Sequence, residues 1–183
     1  GSIEKTRSFI SGHNFDIIIA SIHFIDGEDP YYGDYYNGKG YKEAYGRALE
    51  IMYRTAVEFK DFDVLGHFDY ITRYAPYDVR EIRYSEFGDR LDPLLNFLAK
   101  EGKAFEINTN TYRERNGHIP ELDTAILKRF REFGGEALSL GSDAHDKIRI
   151  AENFKTYSEV ALRCGFRYIV HFEERRPCYT AIS

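Results

Sequence analysis

The segment "SLGSDAHD" (139–146) sets Asp143 and His145 two residues apart, directly after a short apolar run. On an extended backbone, residues i and i+2 point to the same side, so the two can grip one ion or two neighbouring ions. An ordinary loop whose aspartate caps the next helix has the same composition. Comparable groups recur in "SIHF" (His23), "GHFD" (His67 and Asp69) and "FEIN" (Glu106, followed by Asn108 within "EIN"). One histidine near a strand end is commonly a hydrogen-bonded structural residue, whereas four such groups in succession point to a shared site. Imidazoles with carboxylates suit Zn²⁺, Mn²⁺ or Fe²⁺, and no thiolate accompanies them to favour a closed structural zinc. The chemistry such a set serves is metal-assisted hydrolysis.

These groups need elements to bring them together. Five β-rich runs stand out, at 15–24, 62–71, 102–110, 136–145 and 166–174. The first, second and fourth are nearly continuous in Val, Ile and Leu, as strands covered on both faces are. Helical periodicity fills the intervals at 42–59, 87–102, 121–135 and 149–165, and the stretch from residue 3 reads as a helix feeding a strand. Alternating β and α elements predict a parallel sheet, doubly wound or closed into a barrel, with chemistry at the C-terminal strand ends. The segment "GEDPYYGDYYNGKGYK" (27–42) is either a lid over that edge or a solvated, tyrosine-rich excursion. Arg73 and Arg113 follow ligand-bearing strands; their forks match phosphate oxygens, although either can equally be a surface residue.

Composition narrows the partners. With 183 residues, 43% of them hydrophobic and 16% aromatic, the chain can bury the core of one domain over 1–183, or be a large part of a bigger one. A net charge of −5 argues against a nucleic-acid partner held by phosphate neutralisation. No apolar run approaches the roughly 20 residues of a membrane span and the start is not signal-like, so a cytoplasmic protein is expected. Cys164 and Cys178 lie outside any metal-like spacing and are expected to be reduced and structural. Gly1-Ser2 reads as an expression scar.

The stretches "IIIASIHFIDG", "VLGHFDYITRY", "AFEINTNTYR" and "LSLGSDAH", in this order, resemble the histidinol-phosphatase branch of the PHP (polymerase and histidinol phosphatase) superfamily, and the likeness runs to the closing "GFRYIVHFEERRPC". The resemblance implies an α/β fold, a distorted (β/α)7 TIM-like barrel with two or three divalent metals (Zn, Mn or Fe) at the strand ends. It also implies hydrolysis of L-histidinol phosphate to histidinol and phosphate in histidine biosynthesis. His23 and His67 match histidines that share one metal, Asp143 a ligand of a second and His145 a ligand of a third; Arg73 and Arg113 match residues that hold phosphate. Glu106 either orients a cationic group of the substrate or supports the metal ligands, Asp69 can orient His67, and no general acid is assigned.

The family pattern starts further upstream, with an H-x-H strand absent here. The chain is therefore expected to be the C-terminal part of the barrel, lacking roughly three strands. Such a piece should hold fewer metals, turn over poorly and self-associate through its open edges. Two rival readings remain: a phosphoesterase of another phosphomonoester or nucleotide, and a non-catalytic truncated barrel used as an assembly module. His13, His118 and His171 fall outside the motifs and are read as structural or surface residues.

Overall fold

The structure, a computed structural model, describes residues 2–115 and 117–183, so Gly1 of the opening pair lies outside the described residues. Four strands, β1 (Ile19–Ala20), β2 (Val64–Leu65), β3 (Ala104–Asn108) and β4 (Leu138–Gly141), form one parallel sheet in sequence order. The connections are α2 (Tyr41–Phe59), α3 (Tyr84–Lys100) and α4 (Thr124–Glu132); α1 (Ser2–Ser11) precedes β1, and α5 (Phe154–Arg163) follows β4. The parallel α/β alternation matches the sequence expectation. The sheet is open, with no barrel closure among the described residues.

Strand alternation divides the sheet into two faces. Leu65, Phe105, Ile107 and Leu138 join the main core with Leu49, Leu91, Leu95 and Phe130 of the helices, every one of them at most 1% exposed. Phe105 stands between Phe68 and Phe130, with ring centroids 5.0 and 5.8 Å away, and so ties sheet to helices. The register pairs Ile19 with Val64 and Glu106 with Ser139, which sets Val64, Ala104, Glu106 and Asn108 on the opposite face. A small second cluster of Val64, Ala104, Ala137 and Val170 covers one end of that face; the rest carries the polar groups. The expectation that the first strand is covered on both faces fails at Ile19, which is 47% exposed on the sheet edge.

Three local departures have physical causes. The run 62–71 pairs only at Val64–Leu65, because His67 adopts a left-handed backbone (φ 25°) and the chain turns into a 3₁₀ segment, Tyr70–Thr72. The helix expected over 149–165 begins at Phe154, because a 3₁₀ turn at Lys147–Arg149, capped by Asp146, and left-handed residues Ala151 and Asn153 precede it. The run 166–174 does not extend the parallel sheet: β5 (Tyr168–Glu173) pairs antiparallel with β6 (Arg176–Ala181) as a separate hairpin. Loop 27–42 is packed only in part, with Tyr31 and Tyr32 exposed. Tyr35 and Tyr36 are buried and donate hydroxyl hydrogen bonds to the carbonyls of Ala44 and Ile71, at 2.8 and 2.7 Å, so this half of the loop is fastened down.

Candidate metal and phosphate site

The C-terminal ends of β2, β3 and β4 carry a connected polar network. Glu106 is 6% exposed, and its Oε2 accepts the backbone N–H of His67 at 2.8 Å. That bond pins the left-handed His67 backbone, a conformation that costs about 1 kcal/mol or more for a non-glycine residue. Gly141 makes room for the carboxylate: a Cβ there would collide with Glu106 Oε1. At Gly66 a Cβ would lie 2.6 Å from Oγ of Ser21, just past the end of β1, so that side chain would have to turn away. Burial pushes the Glu106 carboxyl up to about 7. Burial, helped by the Arg73 charge, pushes His67 down to about 4, leaving a neutral imidazole at neutral pH.

Arg73 is the hub. Its Nη1 donates to Asp143 Oδ2 at 2.7 Å and its Nε to Thr111 Oγ1 at 3.0 Å. Thr111 in turn donates to Asp69 Oδ1 at 3.0 Å, and the Tyr112 hydroxyl donates to Asp69 Oδ2. Burial raises the Asp69 carboxyl above the usual range against the opposing pull of Arg73 and these donors. Asp69 therefore supports Arg73 through Thr111; both its oxygens are engaged there, so the expectation that it orients His67 is replaced. Burial raises Asp143 too, but hydrogen bonds from Asn110 and Arg73 outweigh it, and the net shift is downward. Asp143 is also left-handed (φ 45°), and it is Asp146, not Asp143, that caps the following turn.

Asn110 links this network to the remaining cations. Its Nδ2 donates to Asp143 Oδ2 at 3.1 Å, while its Oδ1 accepts from Arg113 Nη1 at 2.9 Å and Arg115 Nη2 at 3.2 Å. Arg113 also lies 3.5 Å from Glu152 Oε2. Arg115 and Asn110 are absent from the sequence reading. Arg115 stands two residues beyond Arg113 in "TYRER", a spacing that could have flagged it.

The other two candidates sit at the rim. His23 is exposed, its ring centroid 5.0 Å from that of His67 and 4.9 Å from Tyr70. His145 Nε2 lies 3.6 Å from Asp143 Oδ1, with 90% of its side chain exposed. The four candidate ligands thus approach in two pairs, and they form no cluster of three close donors among the described residues. The donor set fits a divalent ion, because His67 Nδ1 is buried with no hydrogen-bond partner on a ring already held neutral. Each pair would offer two donors to such an ion.

Comparison with known proteins gives the family. The PHP domain family model matches residues 4–110. A probable histidinol-phosphatase of Clostridium acetobutylicum is 34% identical over 176 residues, covering 96% of this chain and 68% of the relative. A histidinol-phosphatase of Lactococcus lactis is 33% identical, covering 92% of this chain and 62% of the relative. The crystal structure of the Lactococcus lactis histidinol phosphate phosphatase, complexed with zinc, L-histidinol and phosphate, superposes with a TM-score of 0.82 at 27% identity, covering 96% of this chain and 66% of that one. The chain thus spans about two thirds of the length of the relatives it matches. On the family match and the identity shared with these relatives, the chain belongs to the PHP domain family, among its histidinol-phosphatases.

Proposed function

We propose that this chain serves the hydrolysis of L-histidinol phosphate to L-histidinol and phosphate in histidine biosynthesis, the reaction named by its relatives. One observation carries the reading: among the described residues, the buried side-chain atoms without a hydrogen-bond partner are His67 Nδ1 and Arg73 Nη2, a metal donor and a phosphate donor within one network. The structural neighbour is complexed with zinc, L-histidinol and phosphate, which supports this reading.

In this reading His23 and His67 hold one divalent ion, and Asp143 with His145 contributes to a second. Zn, Mn and Fe all suit these ligands, with two or three ions expected in a PHP barrel. A bound divalent ion supplies Lewis-acid polarisation of the phosphoryl group and favours ionisation of the attacking water. The residues do the rest. Arg73 offers its unpartnered Nη2 to a phosphoryl oxygen, while Thr111 and Asp143 fix the plane of its fork. Arg113 and Arg115, both anchored on Asn110, add positive potential where charge develops on the equatorial oxygens. Glu106 acts by holding the His67 backbone; with Oε2 engaged and its carboxyl buried, it is a positioning residue rather than a contact for the substrate.

The residues 1–183 form one PHP-type domain in this reading, and the exposed edge at β1 is where further barrel strands, or a second copy of the chain, add to the sheet. The histidine-pathway role favours a cytoplasmic protein, and no helix among the described residues is long and apolar enough to cross a membrane.

Phosphate release from L-histidinol phosphate, measured against a panel of phosphomonoesters and nucleotides with each metal, tests the assignment. A clear preference for histidinol phosphate, lost by roughly 100-fold or more in Arg73→Ala, is expected. Equal turnover across the panel would favour the broader phosphoesterase. Absence of turnover in the full-length natural protein carrying this sequence would favour the assembly module.

A further inference from the structure

Outside the sheet edge, the outward face of the β5–β6 hairpin gathers three different ligand types. His171 and Glu173 are two apart on β5 and share a side, and Cys178 of β6 lies directly opposite His171 in the register. One donor atom from each, an imidazole nitrogen, a carboxylate oxygen and the thiol sulfur, lies within 4.8 Å of the others. His171 Nε2 and Glu173 Oε1 are 3.6 Å apart. Tetrahedral zinc with bonds of about 2.0–2.3 Å sets its ligands roughly 3.4–3.6 Å from one another, so only small side-chain rotations separate this trio from a coordination shell.

The backbone beneath the trio is fixed. Glu174 and Arg175 both occupy the left-handed region (φ 50° and 64°), as the two central residues of a tight hairpin turn of this kind must, without the glycine that normally relieves it. What holds them is a set of contacts to the segments before β1 and β2. Arg175 donates to Asp63 Oδ2 at 2.7 Å and to Asp61 Oδ1 at 2.9 Å, and the Glu174 and Arg175 backbone N–H groups donate to Asp16 Oδ1 and O at 3.1 and 2.9 Å. On its inner side Val170 packs with Val64, Ala104 and Ala137. The register that opposes Cys178 to His171 is therefore locked before any ion arrives, and little ordering is left to oppose binding.

We propose that His171, Glu173 and Cys178 form a surface site for one borderline-soft divalent cation of the zinc type, distinct from the sheet-edge candidates in carrying a thiolate. The fourth position is open to water. Binding forms a metal–sulfur bond, and the thiol proton passes to solvent. The thiolate favours zinc, cobalt or nickel over magnesium, calcium or manganese, which prefer oxygen.

Cobalt(II) titration followed by ultraviolet and visible absorption separates this site from the sheet edge. A sulfur-to-cobalt charge-transfer band requires a thiolate, and His23, His67, Asp143 and His145 provide none. The expected result is such a band saturating near one equivalent, abolished in Cys178→Ser and weakened roughly tenfold or more in affinity by His171→Ala and by Glu173→Gln. Circular dichroism of the three variants should match the parent, since His171 and Glu173 are exposed and Cys178 is half-exposed. Three results would overturn the proposal: no thiolate band, a band surviving in Cys178→Ser, or a band indifferent to both His171→Ala and Glu173→Gln, which would mark an isolated thiol.

Discussion

The centre of the candidate site and its rim contrast sharply. At the ends of β2 and β3, His67, Asp69, Arg73 and Glu106 are 3–8% exposed, and each is held by defined partners. At the rim, His23 and His145 are exposed and meet the network only through ring proximity or a 3.6 Å contact. The difference follows from sheet position. β2 and β3 have a strand on both sides, so their ends are walled in and an unpaired polar group there is costly. β1 is an edge strand, and the loop after β4 is free on one side, so side chains there can wait for a ligand at little cost. Strain does not follow this division: left-handed His67, after β2, is backed by the buried Glu106 carboxylate that accepts its N–H, while left-handed Asp143 lies after the edge strand β4.

Arg73→Ala should produce the largest effect. It removes a side chain only 4% exposed, leaves Asp143 with Asn110 as its remaining hydrogen-bond donor and takes the Nε donor from Thr111, while Asp69 keeps Thr111 and Tyr112. Breaking a buried ion pair from one side costs about 3–5 kcal/mol, and the half-exposed Asp143 points to the lower end. Urea unfolding of the metal-free protein would measure it. A loss below about 1 kcal/mol would mean that the centre is no better organised than the rim.

A pH-dependent effect of comparable size, spread over the interval from about pH 4.5 to 7, sharpens the comparison. Glu106 is raised from 4.5 to about 7, so its contribution to stability is full below about pH 4.5 and is lost as pH rises toward 7. His67 is lowered from 6.5 to about 4, so its contribution is full above about pH 6.5 and is lost as pH falls toward 4. Between those limits the folded protein holds one proton more than the unfolded chain at Glu106 and one fewer at His67, and the two slopes oppose each other. Glu106→Gln should unmask the histidine. The stability of the parent relative to this variant should fall by about 1.4 kcal/mol per pH unit from roughly pH 4.5 to 7 in metal-free protein. A pH-independent difference would show that Glu106 ionises as freely as an exposed carboxylate.

The same contrast explains what was legible in the sequence. Strand period and the spacing of His23, His67, Glu106, Asp143 and His145 placed those residues at one sheet edge, because i, i+2 geometry and parallel topology act locally. The Asp69 network was not legible: Thr111 and Tyr112 reach Asp69 across more than 40 positions, and nothing in "NTNTYR" reveals which hydroxyl turns inward. Arg115 was passed over for the same reason, being one of many cations until Asn110 gives it a place. The hairpin was missed because its turn residues, Glu174 and Arg175, are poor turn formers held by distant aspartates. That in turn concealed His171, which reads as a surface residue until β6 brings Cys178 opposite.

The smallest effect is expected at the rim, and it is the sharpest check on the contrast. His145 has 90% of its side chain in solvent, and its one close polar contact is Asp143 Oδ1 at 3.6 Å, beyond hydrogen-bond range. Asp143 keeps Arg73 and Asn110 on its other oxygen whether or not the imidazole is present. His145→Ala should therefore change metal-free stability by no more than about 0.5 kcal/mol, the usual range for a surface substitution. Zinc should stabilise the variant less than the parent, since mass action rewards only ligands present in the folded state. Thermal unfolding with and without zinc, in a Cys178→Ser background that silences the hairpin site, reads both quantities. A large metal-free loss would place His145 in the organised centre, whereas an unchanged zinc increment would remove it from the ligand set and leave the rim to His23 alone.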